Sequence, residues 1–469
     1  MTAVELMNVS FQYEGYADQV LKNADFHLAY GEIALLSGYS GEGKSTILGL
    51  ISGIIPNISP GQIDGEIRVN DRSIAGRKIS ELCREVAVVL QNAEAQIIQQ
   101  IVEDEIAFAC ENFAFSREKI SSSIQQVCEW MDLEPNWKTR NLSGGQKQKL
   151  MTATSLATEQ RIIILDEPLA NLDQTAADRL MKTLRLLAQD GYAILIIEHR
   201  LDVLLPYVDR VWQLANGRTV LVSNHAKYLL SQAGQIKDGS VRRSEDSTLL
   251  ELDHVTFTAD RFTIIKDASL RLYKGERLLL LGDNGSGKTT LLRLMAGLYN
   301  PSSGSITQSI DPKLGRRKNR QWFKRVGMVY QNPGYQLFMP SVREEVAFGA
   351  KSEAYAERIM DLFDFNDLAD RHPHSLSEGQ KRRLSIAAVA STDPAVLLLD
   401  EPTVGQDYQG LQKLVQVLNL LHDESGTSIV TVTHDLRCAE ALCDRAIRIE
   451  DGQIADEGGK QMVRDYFIK

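Results

Sequence analysis

The chain has 469 residues, 43% of them hydrophobic and 24% charged, with a formal net charge of −10. That length exceeds one ordinary domain and suggests two or three, with ample material for their cores. The acidic balance argues against broad nucleic-acid binding, which needs a basic surface, and no apolar run reaches the roughly 18 to 20 residues of a membrane helix.

The N-terminus, MTAVELMNVSF, has no basic region followed by an apolar stretch, so no secretory signal is expected and the protein should be kept in the cytosol. Cys83, Cys110, Cys128, Cys438 and Cys443 are odd in number and free of CxxC spacing. They read as reduced thiols, with no zinc site or disulfide framework.

Along the chain, a β-rich start with alternating apolar residues leads to the apolar run Ile33–Leu36 and then to GYSGEGKST, Gly38–Thr46. The run reads as a buried strand, and ILGLISG after Thr46 reads as a helix. Next comes VAVVLQ, ending at Gln91, and a helical stretch that includes Ile101–Ala109. LSGGQ (Leu142–Gln146) opens another helix, IIILDEP (Ile162–Pro168) is an apolar strand ending in an acid pair, and ILIIEH ends at His199. Ser223–Thr248 turns polar and reads as a linker. The series then repeats. Leu249–Phe257 echoes Ala3–Phe11, and Leu278–Leu281 precedes GDNGSGKTT, Gly282–Thr290. VGMVYQ ends at Gln331, followed by Ser341–Gly349, LSEGQ (Leu376–Gln380), VLLLDEP (Val396–Pro402) and IVTVTH, ending at His434. Lys44 and Lys288 stand 288 − 44 = 244 positions apart, and the other features recur near that offset, so the chain is a duplication. The expected domains are 1–222 and 249–469, joined by 223–248. Strands alternating with helices, several continuously apolar, predict a mostly parallel sheet covered on both faces. The basic stretch Lys313–Arg317 (KLGRR) reads as a solvated loop.

Both glycine-rich stretches fit G-x-x-x-x-G-K-[ST] between a strand and a helix, the setting in which that pattern marks a phosphate site. Glycines let the backbone curl so that successive N–H groups point at an anion, and the helix dipole adds to the field. The candidate cradle residues are Gly38, Ser40, Gly41, Gly43, Lys44, Ser45 and Thr46, and then Gly282, Asn284, Gly285, Gly287, Lys288, Thr289 and Thr290. Lys44 and Lys288 would reach the β- and γ-phosphates, and the Ser45 and Thr289 hydroxyls would bind Mg²⁺.

The ordered set of glycine loop, strand-end glutamine, LSGGQ, strand with Asp-Glu-Pro and strand-end histidine resembles the ATP-binding cassette (ABC) ATPases, and it does so in both halves. The resemblance implies an α/β protein of two P-loop ATPase domains, each a mostly parallel sheet core with an antiparallel β portion and a helical subdomain. It implies ATP and Mg²⁺ as cofactors. Asp166 and Asp400 would hold the metal. Glu167 and Glu401 would polarise the attacking water as general bases. His199 and His434 would contact the γ-phosphate; Gln91 and Gln331 would touch the metal or the water. Ser143 with Gly145, and Ser377 with Gly379, would bind the γ-phosphate held by the opposite half, so that the two halves pair within one chain. The adenine-stacking aromatic of the family falls on Tyr13 in the first half and on Ala259 in the second, where Phe257 or Phe262 could substitute. Two further departures stand in the second half. Glu378 replaces a glycine of the signature, and Gly405–Asp407 (GQD) replaces the NLD of Asn171–Asp173.

Gln331–Gly349 (QNPGYQLFMPSVREEVAFG) and its weaker echo Gln91–Ala109 look like the ATPase subunits of energy-coupling factor (ECF) importers, which take up vitamins and transition-metal ions. That resemblance implies a transmembrane coupling subunit and a small substrate-binding membrane protein as partners, no nucleic acid, and a peripheral position on the cytoplasmic face of the membrane. Glu103, Asp104, Glu105, Glu344 and Glu345 read either as an acidic docking face for partner arginines or as a solvated helix face. Two alternatives are a soluble tandem cassette acting on ribosomes or nucleic acid and a tandem sugar-import ATPase. A short mixed connection and the acidic balance disfavour the first; the QNPxxQLF-type segment disfavours the second.

Overall fold

A computed structural model describes residues 1–39, 41–170, 172–225, 227–228, 244–259, 261–310 and 320–467. Ser40, Asn171, Lys313–Arg317 and most of the expected linker lie outside the described residues. The chain divides into two compact units, Met1–Ala233 and Gly234–Lys469. Ser244–Thr248, expected to close the linker, instead opens the long first strand of the second unit, Ser244–Ala259.

Each unit is built around the strand that precedes its glycine loop. In the first unit the sheet order is Val86–Val89, Ile162–Asp166, Ala193–Ile197, Ile33–Gly38, Arg210–Ala215, Arg218–Leu221. The first five are parallel and the last is an antiparallel edge. The second unit repeats this order with Val326–Val329, Val396–Asp400, Ser428–Val432, Arg277–Leu281, Arg445–Glu450 and Gln453–Gly458. Residues 33–36 and 278–280 are wholly buried. Their side chains alternate between two cores: Ile33 and Leu35 pack on the helical side, Ala34 and Leu36 on the other. A strand covered on both faces has no polar face to show, and this is why these runs are continuously apolar.

A smaller antiparallel sheet covers one side of each unit. It comprises Leu21–Ala29, Thr2–Tyr13, Gly61–Val69 and Arg72–Ser73 in the first, and Phe262–Lys274, Ser244–Ala259 and Ser303–Gln308 in the second. Helices Val102–Asn112, Arg117–Met131 and Gly144–Ala157 form the helical portion of the first unit, and Val342–Ala347, Glu353–Leu362 and Glu378–Ala390 that of the second. Their starts follow local chemistry: Ser116, Ser341 and Ser352 each cap a helix by accepting from a backbone N–H in its first turn.

The segment after each strand-end glutamine is pinned from two directions. Gln96 Oε1 accepts from the Leu90 N–H at 2.8 Å, and Gln336 Oε1 from the Tyr330 N–H at 2.8 Å. Glu105 Oε2 accepts from the N–H groups of Ile98 (2.8 Å) and Gln99 (2.6 Å), and Glu345 Oε2 from those of Phe338 and Met339, both at 2.8 Å. Glu105 and Glu345 are buried. Only Glu103, Asp104 and Glu344 of the five acids are exposed. The helical period explains the split: the last residue of each acidic run turns inward, where a carboxylate survives by accepting two backbone donors.

Candidate active site

The phosphate loops leave the carboxyl ends of the central strands, the end at which open α/β sheets bind ligands. Helices Lys44–Ser52 and Lys288–Ala296 begin directly after Gly43 and Gly287, both left-handed at φ 103° and 108°. A Cβ on Gly43 would lie 2.7 Å from Val20 Cγ1, and one on Gly287 2.7 Å from Ile265 Cδ1, so both backbone angle and space require glycine. Lys44 Nζ donates to the carbonyls of Gly38 (2.8 Å) and Tyr39 (2.9 Å), and Lys288 Nζ to those of Gly282 (2.7 Å) and Asp283 (2.9 Å). Each ammonium thus lies folded over the loop it belongs to. Thr46 is covered by Tyr13, whose hydroxyl is 3.0 Å from Thr46 Oγ1.

The acid pairs end the strands Ile162–Asp166 and Val396–Asp400. Glu167 and Glu401 adopt left-handed backbone, φ 50° and 51°, while their N–H groups bond to Ile197 and Val432 of the neighbouring strand. Such non-glycine strain costs of order 1 kcal/mol and concentrates at functional sites. It turns the glutamate side chains toward the strand-end histidines: His199 Nε2 is 3.7 Å from Glu167 Oε1, and His434 Nε2 is 3.4 Å from Glu401 Oε1. His434 Nε2 also lies 3.3 Å from Asn284 Oδ1 of the phosphate loop. Burial pushes Asp166 and Asp400 up to about 6. Burial, with the charges of Glu198 and Asp166, pushes Glu167 to about 8; a hydrogen bond from Gln91 and the charge of Lys44 pull the other way.

The signature motifs are helix starts. Ser143 and Ser377 are N-caps whose side chains accept from the N–H of Gln146 and Gln380, while those glutamines accept from the serine N–H groups, at 2.9 and 3.0 Å. The motif is therefore a capping box that leaves a helix N-terminus, a natural anion site, at Ser-Gly-Gly or Ser-Glu-Gly. A Cβ on Gly379 would meet the Gly405 carbonyl at 2.6 Å, and Gln406 Nε2 bonds the Gly379 carbonyl at 2.8 Å. Gln406 so occupies, with a buried hydrogen bond, the position where the first unit has the core leucine Leu172. Glu378 is bridged to Lys381 at 2.8 Å.

Three contributors are not evident from motif reading. Glu198 is buried beside Glu167 and accepts from the N–H groups of Leu169, His199 and Arg200; Thr433 holds its place in the second unit. Arg200 donates to the carbonyls of Leu169 and Leu172. Arg382 Nη1 donates to the Glu401 carbonyl at 2.6 Å, where the first unit has Gln148. The S-x-x-Q spacing of the capping box was readable in the sequence; these three contacts have no local signature.

Two sets of glycine loop, acid pair and histidine at the carboxyl ends of parallel strands define a P-loop nucleotide-binding protein with two sites' worth of machinery. A family model described as ABC transporter matches residues 21–170 and 265–404, more than half of the chain. An ABC transporter ATP-binding protein of Treponema denticola is 31% identical, with 99% of each chain covered. A relative from Bacillus subtilis, named for HMP/thiamine import (YkoD), is 32% identical over 97% of this chain and 91% of its own. Among solved structures, the archaeal ribosome recycling factor aABCE1 in complex with ribosomal stalk protein aP1 superposes with a TM-score of 0.68 at 20% identity, covering 98% of this chain and 92% of that one. That likeness bears on the fold alone. The chain belongs to the ABC transporter family: it is a duplicated ABC ATPase, and its domains bind ATP.

The residues present fit a magnesium ion. Thr289 Oγ1 lies 3.1 Å from Asp400 Oδ1, a hydroxyl–carboxylate pair of hard oxygens of the kind Mg²⁺ takes alongside phosphate oxygens. When bound, the ion supplies charge neutralisation on the β- and γ-phosphates.

Proposed function

We propose that this protein is the ATP-hydrolysing motor of an energy-coupling factor type importer. It serves vitamin or metal-ion uptake from the cytoplasmic face of the membrane, with a transmembrane coupling subunit and a small substrate-binding membrane protein. The two halves pair within the chain, each signature serine completing the nucleotide site of the other half. In each site Ser45 or Thr289, with Asp166 or Asp400 and Gln91 or Gln331, holds Mg²⁺. Glu167 or Glu401 polarises the attacking water, and His199 or His434 contacts the γ-phosphate.

The observation that carries this reading is a groove of about 730 Å³ beside Gln331, lined by Leu298, Phe323, Tyr335, Phe338 and Phe348 among others. Tyr335, Phe338 and Phe348 are more than half exposed, and the corresponding side of the first unit exposes Ile98 and Phe108. Large exposed aromatics around a concave surface mark a protein docking site. The location matters, because one wall of the groove, from Tyr335 to Gly349, belongs to the segment between the strand-end glutamine and the signature helix, and the signature helix itself contributes Ser385 and Val389. A nucleotide-dependent shift at Gln331 would reach a docked partner directly. The HMP/thiamine name of the Bacillus subtilis relative supports a vitamin-type cargo and makes HMP and thiamine the first candidates. Among the described residues no helix is long and apolar enough to cross a membrane, so the partner must supply the span.

The test is co-purification with a polytopic coupling subunit, sought among the neighbouring reading frames and co-expressed with this chain. Phe338→Glu with Phe348→Glu should abolish co-purification and uptake while basal ATP hydrolysis stays. Retained co-purification, or co-sedimentation of the parent protein with ribosomes in place of membranes, would overturn the reading.

A further inference from the structure

We infer that Glu198 and Arg200 are positioning residues of the first unit: they tie the backbone after its acid pair to the strand-end histidine, where the second unit ties the same stretch to its signature helix. The inference rests on the proposed contact of His199 with the γ-phosphate.

Glu198, His199 and Arg200 follow the strand Ala193–Ile197. The buried Glu198 carboxylate accepts from the Leu169 N–H at 3.0 Å through Oε1, and through Oε2 from the N–H groups of His199 (2.6 Å) and Arg200 (3.3 Å). One ion therefore holds backbone donors on both sides of the gap between the two segments. Arg200 crosses the same gap. Its Nη1 donates to the carbonyls of Leu169 (3.3 Å) and Leu172 (2.9 Å), and its Nη2 to Gln174 Oε1 at 3.1 Å. Leu169 is thus gripped at both its N–H and its carbonyl by the two residues that flank His199. Leu169 stands two residues past Glu167, and Gln174 opens the helix Gln174–Gln189, which Asp173 caps. Arg200 is only partly buried, so water is within its reach and burial alone does not force these bonds. Bonds to ions in a place largely shut off from solvent are strong, and a satisfied network of them moves as one piece. His199 cannot shift without carrying Leu169 and Leu172 or breaking that network.

The second unit is wired differently. Thr433 stands for Glu198 and Asp435 for Arg200. Thr433 Oγ1 lies 2.8 Å from the hydroxyl of Thr403, the counterpart of Leu169, so a neutral pair replaces the ionic clamp. Asp435 turns to its own helix, accepting from the N–H groups of Arg437 (2.9 Å) and Cys438 (3.4 Å). The stretch after the acid pair is fastened on its other side. Gln406, the counterpart of Leu172, donates to the Gly379 carbonyl at 2.8 Å, and Arg382 to the Glu401 carbonyl at 2.6 Å. Both bonds end on the signature helix Glu378–Ala390. In the first unit Leu172 is a core side chain, and Gln148, in the place of Arg382, is buried with its Nε2 unpartnered among the described residues. The residues after the acid pair follow the histidine in one unit and the signature helix in the other.

The experiment uses the full chain and a double-mutant cycle on ATP turnover, with ATP affinity measured alongside. Arg200→Met should remove most of the turnover that His199→Ala removes, with ATP affinity within about twofold of the parent. The double variant should be no slower than His199→Ala alone, because the arginine acts through the histidine. Arg200→Lys, which keeps a cation able to reach the Leu172 carbonyl, should recover about half of the loss or more. Amide exchange at Leu169 and at His199 should rise together in Arg200→Met. Parent turnover in Arg200→Met beside a slowed His199→Ala would overturn the inference alone. So would a loss that adds in full to that of His199→Ala, or exchange that rises at Leu169 and not at His199. Parent turnover in His199→Ala would overturn the histidine assignment on which the inference rests.

Discussion

Glu345 offers the sharpest test of how the docking segment is held. Its buried carboxylate accepts from the N–H groups of Phe338 and Met339, both at 2.8 Å. Phe338 lines the aromatic groove, and Met339 follows it in the chain. Glu345→Ala removes both charge-assisted bonds and strands two backbone donors in a partly buried place. Each such bond contributes about 1.5 kcal/mol or more, and water entering the vacated space recovers part, so a net loss of about 2 kcal/mol is expected. If opening is local, that raises the fraction of time the segment is open by about thirtyfold, and amide exchange at Phe338 and Met339 should accelerate by that factor. If opening is global for the unit, its melting temperature should fall by about 4–8 °C. The neighbouring Glu344 is exposed in the first turn of the same helix, so Glu344→Ala should change exchange there less than twofold. Hydrogen exchange of the peptide spanning 330–349 reads both variants. Unchanged exchange in Glu345→Ala, or equal acceleration in both, would refute the pinning role.

Three further outcomes follow from the sites. Glu167→Gln with Glu401→Gln should abolish turnover and retain ATP binding, because the carboxylates go and the phosphate cradle stays; undiminished phosphate release would remove both glutamates from the chemistry. Asp166 and Asp400 at about 6 and Glu167 at about 8 bind protons more tightly folded than unfolded. Their stabilising effect is full below the unfolded values near 4 and is lost as pH rises through 6 and 8. The melting temperature of the nucleotide-free protein in chelator should therefore drop from pH 6 to 8.5, and Glu167→Gln should flatten the upper part. A melting temperature that rises over that range, or the same slope in the variant, would contradict the assignment. Ser143→Arg should impair the site built on Lys288, and Ser377→Arg the one built on Lys44; site-resolved nucleotide occupancy that shows damage only in the mutated half would contradict the crossed pairing.

The sequence alone determined the duplication, the order of the parallel strands' contents and the positions of the loops, because these rest on local and repeated signals. A glycine loop between an apolar strand and a helix is a backbone requirement, visible in Gly43 and Gly287 as residue type. A strand buried on both faces is visible as an unbroken apolar run. What the tertiary structure decided lay in contacts between segments distant in the chain. Glu105 and Glu345 read as surface acids in a helical run, and only packing shows them turned inward onto backbone donors. Glu198, adjacent to His199, reads as a strand-end acid, yet it lies buried against Glu167 thirty-one positions earlier. Periodicity tells which side of its own element a residue occupies. What stands on that side is fixed by long-range packing, which local spacing does not encode.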